Sequence, residues 1–408
     1  MNEYKNIIAF ELFNEPRFPD FSQLGSDVDL EKSGMDAATW SRGRQRLKLV
    51  AKWDAFLKEH PEVSNDEKGF SVFRSELVRN YFERLWPVVD KYFGRNVIKA
   101  QFPSYNGTIP EDLRPMFDKC DIDALTLGTY LNVNSFDGSN TDSYNHLDLA
   151  VKWFKPYENL PKGKFARVAY EFDATATQNG YPLAAIAAMF AKYDVQLAAY
   201  FTYTPYAVAA WNPGWLVHFM NIAHTPSRAA CFAAAGEIFR YHEPQDTIAM
   251  EEEAWHGNDY ALERKNDFVY FKNESIFRYS NDNTVPLGDV SALKIVSGRG
   301  KSLFAESGSN GAYFLEKKND HEWILDIFPA QCFLSDPGRG KTYRFMANRY
   351  VNCLKEPPVS QLSERKVDFK LNALELISCE EAANGKTIPV ASDGSILVAP
   401  GTYLLKVK

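Results

Sequence analysis

Two glutamates stand where short apolar runs end. The segment Asn6-Ile7-Ile8-Ala9-Phe10-Glu11-Leu12-Phe13 closes on Asn14-Glu15-Pro16, and Phe165-Ala166-Arg167-Val168-Ala169-Tyr170 closes on Glu171-Phe172-Asp173. A facing pair of carboxyl groups has a definite chemical use, the cleavage of a glycosidic bond. One, protonated, gives its proton to the leaving oxygen while the other attacks the anomeric carbon or activates water. Neither role calls for a metal. The seven histidines show no metal-ligand spacing, and the cysteines (Cys120, Cys231, Cys332, Cys353, Cys379) lie too far apart for a CxxC pair, so neither a metal nor a cofactor is expected. Flat aromatic side chains would complete such a site by packing on the apolar faces of sugar rings. Tyr130 follows one candidate strand, and Tyr203, Tyr206, Trp211 and Trp215 follow another. Because side chains alternate along a strand, Glu171 and Asp173 share one face and Tyr170 and Phe172 the other.

These residues need a scaffold, and the first 242 residues supply the pattern of one. Short runs rich in β-branched and aromatic residues, at 7–13, 97–102, 124–130, 166–172 and 196–202, alternate with amphipathic stretches. That alternation predicts βα units around a parallel sheet, which places catalytic groups at the C-terminal tips of its strands. Leu49, Trp53, Phe56 and Leu57 form a helical stripe, as do Phe73, Leu77 and Tyr81, and Leu147, Val151 and Phe154. Residues 183–191 are apolar almost all round, as a helix packed on a sheet would be. After His242-Glu243-Pro244 the texture changes to short alternating runs between turn residues. Strands are expected at 268–271, 293–296, 323–327, 343–347, 374–377, 396–398 and 403–407, with turns at 309–311 and 393–394. The domains read as 1–243, the barrel part, and 244–408, an all-β sandwich-like region with Glu356-Pro357-Pro358 as a candidate division.

Composition narrows the partners. The chain has 408 residues, 45% hydrophobic and 24% charged, enough for a large core and unlike a disordered tail. A net charge of −7 argues against a nucleic-acid surface, which needs clustered Lys and Arg. No apolar run approaches the ~18 residues needed to span a bilayer. Aromatics at 14% suit both a large core and a stacking surface.

The segment Phe10-Glu11-Leu12-Phe13-Asn14-Glu15-Pro16, with Tyr170-Glu171-Phe172 on a later strand, resembles the glycoside hydrolases of clan A, retaining enzymes built on (β/α)8 barrels. The resemblance covers about residues 5–240. It implies acid/base on Glu15 at the end of the fourth barrel strand and the nucleophile on Glu171 at the end of the seventh. It further implies that Asn14 bonds the sugar hydroxyl beside the anomeric carbon, that Tyr130 bonds the nucleophile, and that Trp211 lies under the reacting sugar. Tyr203 joins them as a substrate-binding candidate. The expected protein is a partial (β/α)8 TIM barrel, strands four to eight, that cleaves β-linked oligo- or polysaccharide by double displacement, with its carboxyls ~5 Å apart and Glu15 holding the raised pKa.

The sequence departs from the clan in three places. Strands one to three, roughly 90 residues at typical barrel size, have no counterpart, so a missing N-terminal segment or a second chain is expected to close the barrel. Gly128 stands where several clan families carry His, two positions before Tyr130. A long gap separates Glu15 from Glu171, and a helical excursion between residues 20 and 95 accounts for it. A protein that keeps the cleft but binds carbohydrate without turnover is the competing expectation; it would have no need of both acids. The N-terminus shows no signal peptide, and secretion or periplasmic location would follow if one stood upstream.

Overall fold

A computed structural model describes residues 7, 9–14, 21, 24, 37–93, 97–102, 117, 119–131, 144–159, 163–175, 177, 179–203, 218, 220–222, 225–308, 311–328 and 366–408. The chain forms two compact units, one comprising Met1–Gly128 and Asn159–Val168 and the other Thr129–Glu158 and Ala169–Lys408. Among the described residues, five strands follow one another in chain order through a half-barrel sheet: β1 (Ala9–Glu11), β2 (Ile98–Gln101), β3 (Ala124–Tyr130), β4 (Ala166–Asp173) and β5 (Leu197–Tyr200). All five expected runs form strands. The β1–β2 and β2–β3 pairs are parallel.

In the first unit, Glu11 lies opposite Ala100, and Ala100 opposite Ala124. With side chains alternating, Glu11, Ala100, Ala124 and Thr126 share one face, where the small neighbours leave room for a carboxylate. Helices α1 (Ala37–Glu59) and α2 (Glu67–Phe93) form the excursion between β1 and β2. Phe70 and Phe73, then Val78, Phe82, Trp86 and Val89, recur every three or four residues on α2 and are buried. Trp53 and Phe56 of α1 pack on Phe70 and Phe73. The same two helices border a cleft of about 550 Å³ lined by Lys52, Phe56, Phe73, Leu77, Tyr81 and Arg84, among others. Tyr81 is pushed above the usual tyrosine value by burial and by the charge of Glu11.

In the second unit, Asn145 caps helix α3 (His146–Phe154) by accepting from the Leu147 amide at 3.0 Å. Leu147, Ala150 and Phe154 are its buried stripe; Val151, expected in that stripe, faces solvent. Helix α4 (Tyr181–Lys192) is buried from Tyr181 through Ala191, as its apolar circumference requires. It packs on helix α5 (Pro226–Tyr241). Gly180, at the start of α4, permits that approach, since a Cβ there would stand 2.5 Å from Sγ of Cys231. Asp267 accepts hydrogen bonds from the amides of Gly180 (2.7 Å) and Tyr181 (2.9 Å), so the β-rich region satisfies the amino end of α4.

That region contains β6 (Ala249–Met250), β7 (Ala254–His256), β8 (Tyr260–Glu263), β9 (Phe268–Lys272), β10 (Ile276–Tyr279), β11 (Ile295–Arg299), β12 (Ala305–Ser307), β13 (Ala312–Asn319), β14 (Glu322–Ile327), β15 (Val367–Leu371), β16 (Leu376–Glu381), β17 (Thr387–Ile388), β18 (Ser395–Val398) and β19 (Gly401–Val407). Among the described residues the strands make an eleven-stranded sheet, β17-β16-β19-β14-β13-β11-β10-β9-β8-β7-β6, and a three-stranded one, β12-β15-β18. Phe277, Tyr313, Leu325 and Leu405 from the large sheet and Phe369 and Ile396 from the small one are all buried in a shared core, the packing of a sandwich. At Asp393-Gly394 the glycine adopts φ +84°, and Asp393 accepts from the Ser395 amide at 3.1 Å, closing the turn into β18. The expected strand at 343–347 and residues 309–310 of the other turn lie outside the described residues. Residue 244, where the sequence texture changes, falls inside the second unit.

Candidate active site

Tyr130 ends β3 and Glu171 stands near the end of β4, and the two meet: the Tyr130 hydroxyl donates to Oε2 of Glu171. Backbone pairing fixes the strands at this level. The Leu131 amide donates to the Asp173 carbonyl at 2.9 Å, and the Phe201 amide to the Phe172 carbonyl at 3.0 Å. Alternation along β4 then sorts the side chains. Phe172 turns to the helix-covered face, its ring centroid 5.3 Å from that of Phe190 on α4 and 5.6 Å from that of Tyr200 on β5. Glu171 and Asp173 take the other face. Glu171 remains partly open to solvent, whereas Asp173 is buried.

Asp173 therefore does not join Glu171 as a second accessible acid. Arg228 of α5, also fully buried, donates from Nη2 to Asp173 Oδ1 at 2.5 Å and to the Tyr200 hydroxyl at 3.0 Å. Its Nη1 donates to the carbonyls of Ala174, Thr177 and Asn179 at 3.2, 2.8 and 3.2 Å, tying the turn after β4 to the helix. The second oxygen of Asp173 lies 3.1 Å from Nδ1 of His218. An ionised carboxylate beside a guanidinium accepts only, so Nδ1 carries the proton in that bond. The His218 ring packs 4.9 Å from that of Tyr130 and 5.3 Å from that of Phe201, centroid to centroid. Arg228, Asp173, His218, Tyr130 and Glu171 thus form one connected chain of contacts. The guanidinium compensates the buried Asp173 charge.

Behind β3, Thr129 Oγ1 and the Tyr157 hydroxyl hydrogen-bond at 3.0 Å, holding the strand end from its buried side. Tyr203, just past β5, is 47% exposed, and its backbone bridges Met220. In the first unit, Asn14 follows β1 by three residues and is exposed, and Glu11 accepts from Thr126 Oγ1 at 2.5 Å. Glu15, Tyr206, Trp211 and Trp215 lie outside the described residues, and with Glu15 the separation of the two glutamates does too. Of the sequence-selected residues, the structure brings Tyr130 and Glu171 into contact. It adds His218 and Arg228, which no strand-end pattern marks, because one lies beyond the last apolar run of the sheet and the other faces inward from an alanine-rich helix. Among the described residues no cluster of three or more His, Cys, Asp or Glu could hold a metal ion, and no helix is long and apolar enough to cross a membrane.

No protein-family model matches the chain, and no curated protein matches it. Solved structures similar to it include the GH39 enzyme from Xanthomonas axonopodis pv. citri, at 12% identity and TM-score 0.30 over 85% of this chain and 65% of that one. A GH39 β-xylosidase from Caulobacter crescentus follows at 9% identity and TM-score 0.25, over 83% of this chain and 72% of that one. A monomeric β-xylosidase from Caulobacter crescentus CB15 is similar at 11% identity and TM-score 0.26, over 83% and 75%. The chain thus spans 65% of the length of the first of these. At this level of likeness, the chemistry of the chain rests on its own residues.

Proposed function

We propose that the chain carries the active site of a retaining glycoside hydrolase that acts on β-linked oligo- or polysaccharide. The observation behind this reading is the Tyr130–Glu171 hydrogen bond at adjacent strand ends. A carboxylate that accepts a tyrosine O–H on one oxygen keeps the other in a fixed direction, which is what an attacking group requires. In the first step Glu171 bonds the anomeric carbon, the bond to the leaving oxygen breaks, and Glu15 gives that oxygen its proton. In the second, the ionised Glu15 takes a proton from water, the water oxygen bonds the anomeric carbon, and Glu171 is released. Asn14, Tyr203 and Trp211 are assigned to the sugar, the last two by stacking. Glu15 owes its role to its Asn-Glu-Pro setting in the sequence.

Incubation with 2-deoxy-2-fluoro glycosides bearing a good leaving group tests the reading, because the fluorine slows hydrolysis of the glycosyl-enzyme. The expected outcome is a mass increase of one fluorosugar, mapped to the peptide containing Glu171 and absent from Glu171→Gln. Saturable sugar binding by the wild-type chain without such a label would put the non-catalytic binding reading ahead.

A further inference from the structure

The structure assigns a positioning role to His218: anchored by the buried Asp173–Arg228 pair, its ring fixes the Tyr130 ring and so holds the hydroxyl on Glu171. The inference rests on the glycosidase reading for its purpose, but not for its observations. Tyr130 is the last residue of its strand, and its hydroxyl reaches Glu171 only if the ring keeps its orientation. Among the described residues two rings lie against it, Phe201 at 6.4 Å and His218 at 4.9 Å. His218 is the nearer. The bond from Nδ1 to Asp173 anchors its ring. Asp173 is an effective anchor because its other oxygen is held by Arg228, whose Nη groups also donate to three carbonyls and a tyrosine hydroxyl. The order has a physical basis: a buried charge pair at the bottom, an aromatic contact in the middle, and the reacting carboxylate at the top.

Arginine and aspartate are too deeply embedded to test the idea cleanly, since replacing either leaves a buried unpaired charge. His218 is the informative position. His218→Ala removes ring and anchor bond; His218→Phe keeps a ring against Tyr130 at similar size and loses only the bond. The readout is the carboxyl 13C resonance of Glu171 in chain labelled at the glutamate δ carbon, identified by its loss in Glu171→Gln. Tyr130→Phe is expected to displace that resonance, and His218→Ala to displace it in the same direction by about half as much or more. His218→Phe, which keeps the ring and loses the anchor, should leave it between the wild-type and His218→Ala positions, and a wild-type position for His218→Phe would overturn the role of the anchor. The inference is overturned if His218→Ala, folded by circular dichroism, leaves the resonance where the wild type has it while Tyr130→Phe moves it. It is also overturned if His218→Phe displaces the resonance as far as His218→Ala. Because the signal needs no turnover, it can fail while the fluorosugar label appears, or hold while the label does not; the two proposals are therefore separable. Where turnover is measurable, His218→Ala should lower kcat about tenfold with KM within about twofold, the pattern of lost orientation rather than lost binding.

Discussion

Helix α5 carries a buried charged residue near each end, and the two are used differently. Arg228 reaches the strand ends, where it donates to Asp173, to Tyr200 and to carbonyls of the turn after β4. Glu237, about two and a half turns on, receives Arg278 of β10 at 2.8 Å and Arg240 at 2.7 Å, while Arg278 also reaches Ser297 of β11 at 2.9 Å. The second cluster fastens the helix to the β-rich sheet, and its outer member, Arg240, is largely in water. The first is sealed. The contrast teaches that depth alone does not tie a charge to the candidate site: both Glu237 and Arg228 are buried, and among the described contacts it is Arg228 that connects, through Asp173, His218 and Tyr130, to the accessible Glu171.

Replacing Arg228 by Met should have the largest effect, because it leaves Asp173 charged and unpaired. A loss of about 3–5 kcal/mol in urea denaturation is expected. Alkali gives the next largest. Burial pushes Tyr181 at the start of α4 and Tyr279 in the sandwich up to about 12 from an ordinary 10.0. The folded chain holds those protons more tightly than the unfolded one, so the associated stability is complete below pH 10 and drains away as pH rises toward 12. Denaturation midpoints measured from pH 9 to 11.5 should fall, and Tyr181→Phe and Tyr279→Phe should each flatten the fall, which tells whether one region or both give way. Third is Glu237→Ala, at about 1–3 kcal/mol by the same denaturation, less than at Arg228 since Arg240 can return to solvent. A Glu237 variant as costly as the Arg228 one would erase the distinction between the two helix ends. Smallest is Asp267→Asn. Burial raises the Asp267 carboxyl against the opposing hydrogen bonds of Ser227, Tyr181 and Gly180. Because this acid is easier to protonate folded than unfolded, its contribution to stability improves as pH falls from neutral through the folded value. The amide keeps an acceptor without the charge, so stability should change by no more than about 1 kcal/mol at pH 7 and lose that pH dependence.

Much of the half-barrel is legible because its strands are continuous apolar runs between polar breaks. The run at 124–130 coincides with β3, and that at 166–172 with all but the last residue of β4. The sandwich is less so. Expected strands such as 268–271 and 323–327 match β9 and β14, but β8, β10 and β13 pass unannounced. Strand β10 shows why: Arg278 interrupts its apolar pattern, yet the arginine is neutralised by Glu237 of the helix packed above it, a partner distant in sequence. Helix α5 is obscure for a related reason, since its alanines and glycine give no one-sided stripe. In the site, Tyr130 and Glu171 could be picked out because strand ends are visible in sequence. The interior role of Asp173 could not be, because alternation assigns it to the face of Glu171 and says nothing of what covers it.

The Asp267 contacts bear on how this molecule could be taken apart or recombined. The carboxylate that satisfies the first amides of α4 comes from the turn before β9, in the very region a protein engineer would remove as a detachable module. Excising residues 244–408 would leave that helix with exposed amide dipoles and strip the partner from Ser227 as well. A chimera carrying a foreign C-terminal region would have to bring its own hydrogen-bond acceptor to the same spot. The join at residue 244 is therefore a change of sequence texture and not a clean seam, since a helix before it is finished by a side chain after it.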